Sequence, residues 1–250
     1  LFLVVDSLRQ DKCIEKRKSS VTPNLDKFIR NGTFFNQNIS TATITVPSLS
    51  SIFTGLYPFE CTILDNDLFN MIPNTRTFIQ DLSDFGYTTS AIIPEALSHT
   101  NFVKIFSYVE FFNSFTTLYD GVGENIINKI RTYSQETPWF LYVHLEDLHG
   151  NATFNLTDNT KQITNFSGKN QYEKMLSAVD AWLGKILENL NYNNTITIIT
   201  SDHGSTSADF TNEMLAFNLK NDELRQSNPG IIYKLGHGIF TSLPESLSPI

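Results

Sequence analysis

Cysteine is nearly absent: Cys13 and Cys61 are the only two in 250 residues. Two thiols exclude a disulfide framework and a cysteine-built zinc cluster. Long apolar runs are missing too. None approaches the ~20 residues that a membrane-spanning helix requires, so no transmembrane segment is expected. Positive charge is thin. Lys and Arg number 18 against 26 Asp and Glu, for a net charge of −8, and no basic block occurs. Nucleic-acid binding is therefore not expected, because such surfaces set clustered Lys and Arg against phosphates. No internal repeat and no low-complexity linker interrupts the chain. Asn-X-Ser/Thr sequons are present, as an Asn-, Ser- and Thr-rich chain produces by chance, and they assign no compartment.

Apolar residues are plentiful, at 40% of the chain, and supply a large core. The chain opens on Leu1 inside an apolar run and closes abruptly at Ser248-Pro249-Ile250. The expectation is one domain over residues 1–250 that lacks a few N-terminal residues and a C-terminal portion. Leu1 to Val5 reads as a strand buried on both faces. A short helix opens at Thr22-Pro23 with Leu25, Phe28 and Ile29 on one face. Thr33 to Ile39 is predicted as a strand. Phe78 to Phe85 reads as a helix closed by Gly86, followed by a strand over Tyr87 to Ile93. Residues 106–112 form an aromatic strand or loop. A helix over Glu124 to Tyr133 and a buried strand from Trp139 to His144 come next. Residues 150–170 read as a surface loop. The 3.6-residue stripe from Tyr172 to Leu190 marks the plainest helix. Thr195 to Thr200 is a β-branched strand, and residues 205–229 are an excursion. Strands alternate with helices throughout, which predicts an α/β layer fold with a mostly parallel sheet.

Chemistry gathers at the strand ends. Asp6 follows the first apolar strand, His144 to His149 closes another, and Asp202-His203 closes a third. In a parallel sheet these ends share one edge, where open α/β sheets place their ligands. Carboxylate with imidazole suits Zn²⁺ or Mn²⁺, and mainly carboxylate sets suit Mg²⁺ or Ca²⁺. His237, between two glycines, can approach a ligand closely. His99 has no such setting. Residues 41–58, TATITVPSLSSIFTGLYP, carry a second signal. Pro47 fits the first turn of a helix and Gly55 its stop, which places Thr45 just before a helix N-terminus. Thr45 is there either a cap residue or a hydroxyl aimed at a bound anion.

Several motifs occur in one order. Val5-Asp6-Ser7-Leu8-Arg9-Gln10-Asp11 resembles a D-x-L-R-x-D opening, and Thr22-Pro23-Asn24-Leu25-Asp26 a T-P-N-L-D step. Residues 45–55 resemble a C/S-x-P-S-R-x4-T-G signature with its spacing intact. Phe140 to His149 is similar to F-L-x-x-H-x-x-D-P-H, Thr200 to Gly204 to T-S-D-H-G, and Gly236-His237-Gly238 to a downstream H-G. Together they resemble the sulfatase branch of the alkaline phosphatase superfamily over nearly all of the chain. The resemblance implies a three-layer α/β/α sandwich and a metal-dependent ester hydrolase or phosphotransferase.

The departures shape the expected chemistry. Sulfatases convert a Cys or Ser at the signature's first position to formylglycine, and here that position is Thr45. The signature Arg is Leu49, the second Asp of the usual pair is Ser7, and the usual Pro before the His is Leu148. Relatives with a Thr nucleophile act on phosphate esters. The resemblance implies Thr45 as nucleophile and Asp6, Asp202 and His203 as ligands of a divalent cation (Zn, Mn or Ca) that also contacts Thr45. It further implies His149 at the leaving group, His237 on a second metal or the substrate, and His144 and Asp147 as substrate contacts. The expected partner is a small-molecule, lipid or glycan ester of phosphate or sulfate. An arylsulfatase-like enzyme and a non-catalytic binder of anionic ligands are the alternatives.

Overall fold

A computed structural model describes residues 1–14, 18, 20–65, 68–133, 138–149 and 166–205. The chain divides between Ala208 and Asp209, and all described residues belong to the first unit. A five-stranded sheet forms its centre. The strands are β1 (Phe2–Val5), β4 (Thr88–Pro94), β5 (Tyr108–Phe112), β6 (Trp139–Leu145) and β7 (Ile198–Thr200), in the order β5-β4-β6-β1-β7. Every pairing in this sheet is parallel. A separate antiparallel hairpin joins β2 (Thr62–Asp65) to β3 (Leu68–Met71).

Side-chain alternation along the strands splits the core into two layers. Leu1, Leu3 and Val5 of the first strand face one way. There they meet Leu141, Val143 and Leu145 under the helices α6 (Val122–Tyr133) and α7 (Gln171–Glu188). Phe2 and Val4 face the other way, with Phe140 and Tyr142, under α3 (Thr45–Thr54) and α5 (Phe78–Asp84). Helices thus cover both faces, which is the expected three-layer α/β/α sandwich with a parallel sheet.

Two anchors fix the helices that matter for the site. Phe53, 1% exposed, meets Tyr142 edge-on at 5.2 Å and Phe102 at 5.5 Å. That aromatic contact seats α3 on the sheet, and Gly55 ends the helix at φ 72°, a value that favours glycine. On the other face, α2 (Pro23–Asn31) has no cap from its own Thr22 side chain. Asp180 of α7 caps it instead, accepting the N–H of Asn24 (3.1 Å) and of Leu25 (2.8 Å). The two helices approach so closely that a Cβ on Gly184 would stand 2.6 Å from the Asn24 side chain.

Four details differ from the sequence reading. The strand expected over Thr33 to Ile39 is irregular chain, with Phe35 and Ile39 exposed. Its apolar residues do not alternate, and β1 already has a neighbour on each side, so no ladder position next to it is left. The antiparallel pairing of Thr62–Asp65 with Leu68–Met71 was not expected from the sequence. The strand expected from Thr195 starts at Ile198. Thr45 is the first residue of α3 rather than the residue before it, and Ile44 takes the cap position. The loop expected at 150–170 is described only from Phe166 onward. The 205–229 excursion beyond Ser205, and His237, lie outside the described residues.

Candidate active site

The sheet's register builds the site. Val4 is level with His144 on one side and Thr200 on the other. Counting on by two keeps a side chain on the same face. Asp6 and Asp202 therefore share the Val4 and Tyr142 face, the one that α3 covers. The ladder extends one step beyond β1, since the Asp6 N–H donates to the Leu145 carbonyl at 2.8 Å. Thr45, at the start of α3, comes down onto this cluster.

The contacts are close. Thr45 Oγ1 lies 3.2 Å from Asp6 Oδ2 and 3.2 Å from His203 Nε2. His144 Nε2 stands 3.3 Å from Asp6 Oδ2, and His203 Nε2 stands 3.4 Å from Asp202 Oδ2. Asp6, His144 and Asp202 are buried, while Thr45 and His203 are half-buried. The His203 Nδ1 sits 2.7 Å from the Gly204 carbonyl, which can only accept, so Nδ1 carries the proton. That leaves the Nε2 lone pair facing Thr45 and the carboxylates. His144 Nδ1 meets the Tyr142 hydroxyl at 3.0 Å. The Tyr142 hydroxyl thus holds the ring with Nε2 toward Asp6, and Nε2 can ligate a cation only once it carries no proton.

Electrostatics bind the cluster together. Burial alone would raise the Asp6 carboxyl, but the hydrogen bond and charge of His144, with help from His149 and Ser7, hold it well below the usual range. For His144, burial opposes the charged form, yet Asp6 wins and raises the imidazole. Asp202 Oδ2 is buried and has no hydrogen-bond partner among the described residues. A buried carboxylate oxygen without a donor is costly, and a cation is a natural counterpart for it.

Asp6, His144 and Asp202 each place a ligand atom within 4.8 Å of the others. One ion with ligand distances of about 2.0–2.6 Å can be shared across such gaps. The donor set of two carboxylates and two imidazoles, the orphaned oxygen and the spacing all fit a divalent cation.

The structure thus brings together Asp6, Thr45, Asp202 and His203. His144, expected at the substrate, is fully buried and joins them. His149 closes a turn through its N–H to the Glu146 carbonyl at 2.9 Å and keeps a half-buried ring. Asp147 is 2% exposed, accepts the Leu118 N–H at 3.0 Å, and burial pushes it up to about 7. It has almost no surface to offer a substrate. Leu49, at the position of the signature Arg, lies in the aromatic layer with no exposure. Two participants escaped the sequence reading. Tyr142 could have been found, because it precedes His144 by two in a strand. Ser7 carried only the signal that it stood where an Asp is usual.

Residues 1–233 match the family model described as Sulfatase. An uncharacterised protein of Haemophilus influenzae is 26% identical over 212 residues, covering 82% of this chain and 31% of that one. A solved protein of the alkaline phosphatase superfamily from Vibrio parahaemolyticus superposes with a TM-score of 0.61 at 19% identity. It covers 81% of this chain and 53% of its own. Phosphonate monoester hydrolase from Agrobacterium radiobacter superposes with a TM-score of 0.62 at 14% identity, over 82% of this chain and 62% of its own. The chain therefore spans between about a third and three fifths of the length of these proteins.

Proposed function

The chain belongs to the sulfatase family, within the alkaline phosphatase superfamily, and from that premise we propose that it is a divalent-metal-dependent ester hydrolase or transferase with Thr45 as nucleophile. The observation that carries the reading is the placement of Thr45 Oγ1 within 3.2 Å of both Asp6 Oδ2 and His203 Nε2. A threonine hydroxyl is a poor nucleophile unless activated, and this one has two acceptors for its proton. It also stands in the first turn of α3, where unpaired backbone N–H groups and the helix dipole favour an anionic ester.

Asp6, Asp202, His203 and His144 would hold the cation, with His237 a further ligand or substrate contact. A cation bound there supplies electrostatic stabilisation to the deprotonated hydroxyl and polarises the ester. Thr45 Oγ1 attacks phosphorus or sulfur and the bond to the leaving oxygen breaks, while the hydroxyl proton passes to whichever of Asp6 Oδ2 and His203 Nε2 does not hold the cation. His149, at the half-exposed turn after β6, protonates the leaving oxygen. Tyr142 fixes the His144 ring, and the hydrophobic layer beneath keeps water from the carboxylates.

Phosphate esters are favoured over sulfate esters. Thr45 cannot mature to formylglycine, and Leu49 sits in the core where the signature has Arg. The test is turnover of aryl phosphate, phosphodiester and sulfate substrates with Mn²⁺, Zn²⁺ or Ca²⁺ added. Activity is expected on a phosphorus ester, to be abolished in Thr45→Ala while metal binding persists. Full activity in Thr45→Ala would leave Thr45 a helix residue and pass the attack to water. Metal binding without turnover of any substrate would favour a non-catalytic binder.

A further inference from the structure

We infer that Ser7 is a positioning residue that aims both buried carboxylates of the cluster. Its backbone N–H donates to Asp202 Oδ1 at 3.2 Å, and its hydroxyl donates to Asp6 Oδ1 at 2.6 Å. The His203 N–H adds a second donor to Asp202 Oδ1 at 2.8 Å. One oxygen of each carboxylate is thus engaged from the Ser7 side. The other oxygen of each is turned toward the centre. Asp6 Oδ2 faces Thr45 and His144 there, and Asp202 Oδ2 faces His203.

Ser7 makes both contacts in an unusual conformation. Ser7 has φ 62°, in the left-handed region that non-glycine residues seldom occupy. Such a conformation persists where surroundings over-determine it. Here the Tyr172 hydroxyl donates to the Ser7 carbonyl at 2.7 Å and accepts the Arg9 N–H at 2.9 Å. The Leu8 N–H donates to Ser201 Oγ at 3.0 Å, which ties the same turn to the end of β7. The bond to Asp6 is short enough for a charge-assisted O–H to carboxylate contact. With its only proton committed to Asp6, the hydroxyl holds Oδ1 of that carboxylate in place.

This inference rests on reading the cluster as a cation site. The test is calorimetric titration of Mn²⁺ and of Zn²⁺ into chelator-stripped protein, as wild type, Ser7→Gly and Ser7→Ala, with the melting temperature of each apoprotein. Loss of a side chain that orients metal ligands commonly weakens binding by about 10–100-fold. That loss is expected in both variants. Glycine adopts φ 62° without strain, which offsets part of the stability lost with the Ser7–Asp6 hydrogen bond, so the Ser7→Gly apoprotein should melt no lower than the Ser7→Ala apoprotein. Wild-type affinity in both variants would overturn the inference, whether or not their apoproteins melt lower. A wild-type protein that binds neither ion would instead overturn the cation-site reading, and this inference with it.

Discussion

Individual residues show what a sequence can and cannot declare. Asp6 and Asp202 are legible because each ends an apolar strand, and a carboxylate has little reason to stand there without a ligand or cap. His144 is harder. Its place at a strand end marks it for chemistry, but only the register, which sets it level with Val4 and so beside Asp6, puts it among the carboxylates rather than at the substrate. Asp147 was legible as an unusual carboxylate, but its burial was not, since that depends on the Leu118 turn that closes over it. Its pKa gives a prediction. Burial raises the folded carboxyl from 3.8 to about 7, so the fold prefers the protonated form. The stability this confers is fully present below about pH 4 and is lost as pH rises through about 7, by up to about 4 kcal/mol for such a shift. Asp147→Asn keeps the acceptor for the Leu118 N–H and cannot ionise. Denaturant titrations of the two proteins should diverge in favour of the variant between pH 4 and 8. Parallel curves would mean that Asp147 titrates in the ordinary range.

At the scale of elements, periodicity served well where one face is buried and poorly where partners are remote. The stripe from Tyr172 to Leu190 is the helix Gln171–Glu188. Hidden inside that stripe is Asp180, a polar residue 1% exposed that caps another helix 155 positions away. Nothing local signals such a bond. Removing it in Asp180→Ala would leave the N–H groups of Asn24 and Leu25 without their acceptor. The expected loss is about 1–3 kcal/mol, typical of an unmade buried hydrogen bond or cap. Thermal melting should register it as a fall of several degrees, while metal affinity stays unchanged because the cap lies on the face opposite α3. A variant as stable as wild type would show that the cap is replaced by water. The failed strand at Thr33 to Ile39 shows the reverse error, in which apolar content was read as strand without alternation to support it.

For the whole molecule, α/β order and the edge that carries the site were legible, because alternating strands and helices admit few arrangements. The chain's reach beyond Ser205 and its substrate were not. Two buried carboxylates that share a face repel one another in the apoprotein, which leads to a global prediction. A cation that binds only the folded state at 100-fold over its dissociation constant should add about 2.7 kcal/mol to stability. Calorimetry should show a melting temperature that rises with Mn²⁺ or Zn²⁺ in wild type and rises far less in Asp202→Ala. Equal rises would place the binding elsewhere. The position of β1 has another consequence, one of timing. Among the described residues it precedes every other strand, yet it sits between β6 and β7, which begin at residues 139 and 198. On the ribosome its hydrogen bonds must wait for most of the described chain to emerge. At about 5–20 residues per second, that leaves an apolar strand unpaired for roughly ten seconds or more. Until β6 and β7 emerge, the edges of this apolar strand are open to pairing with other chains.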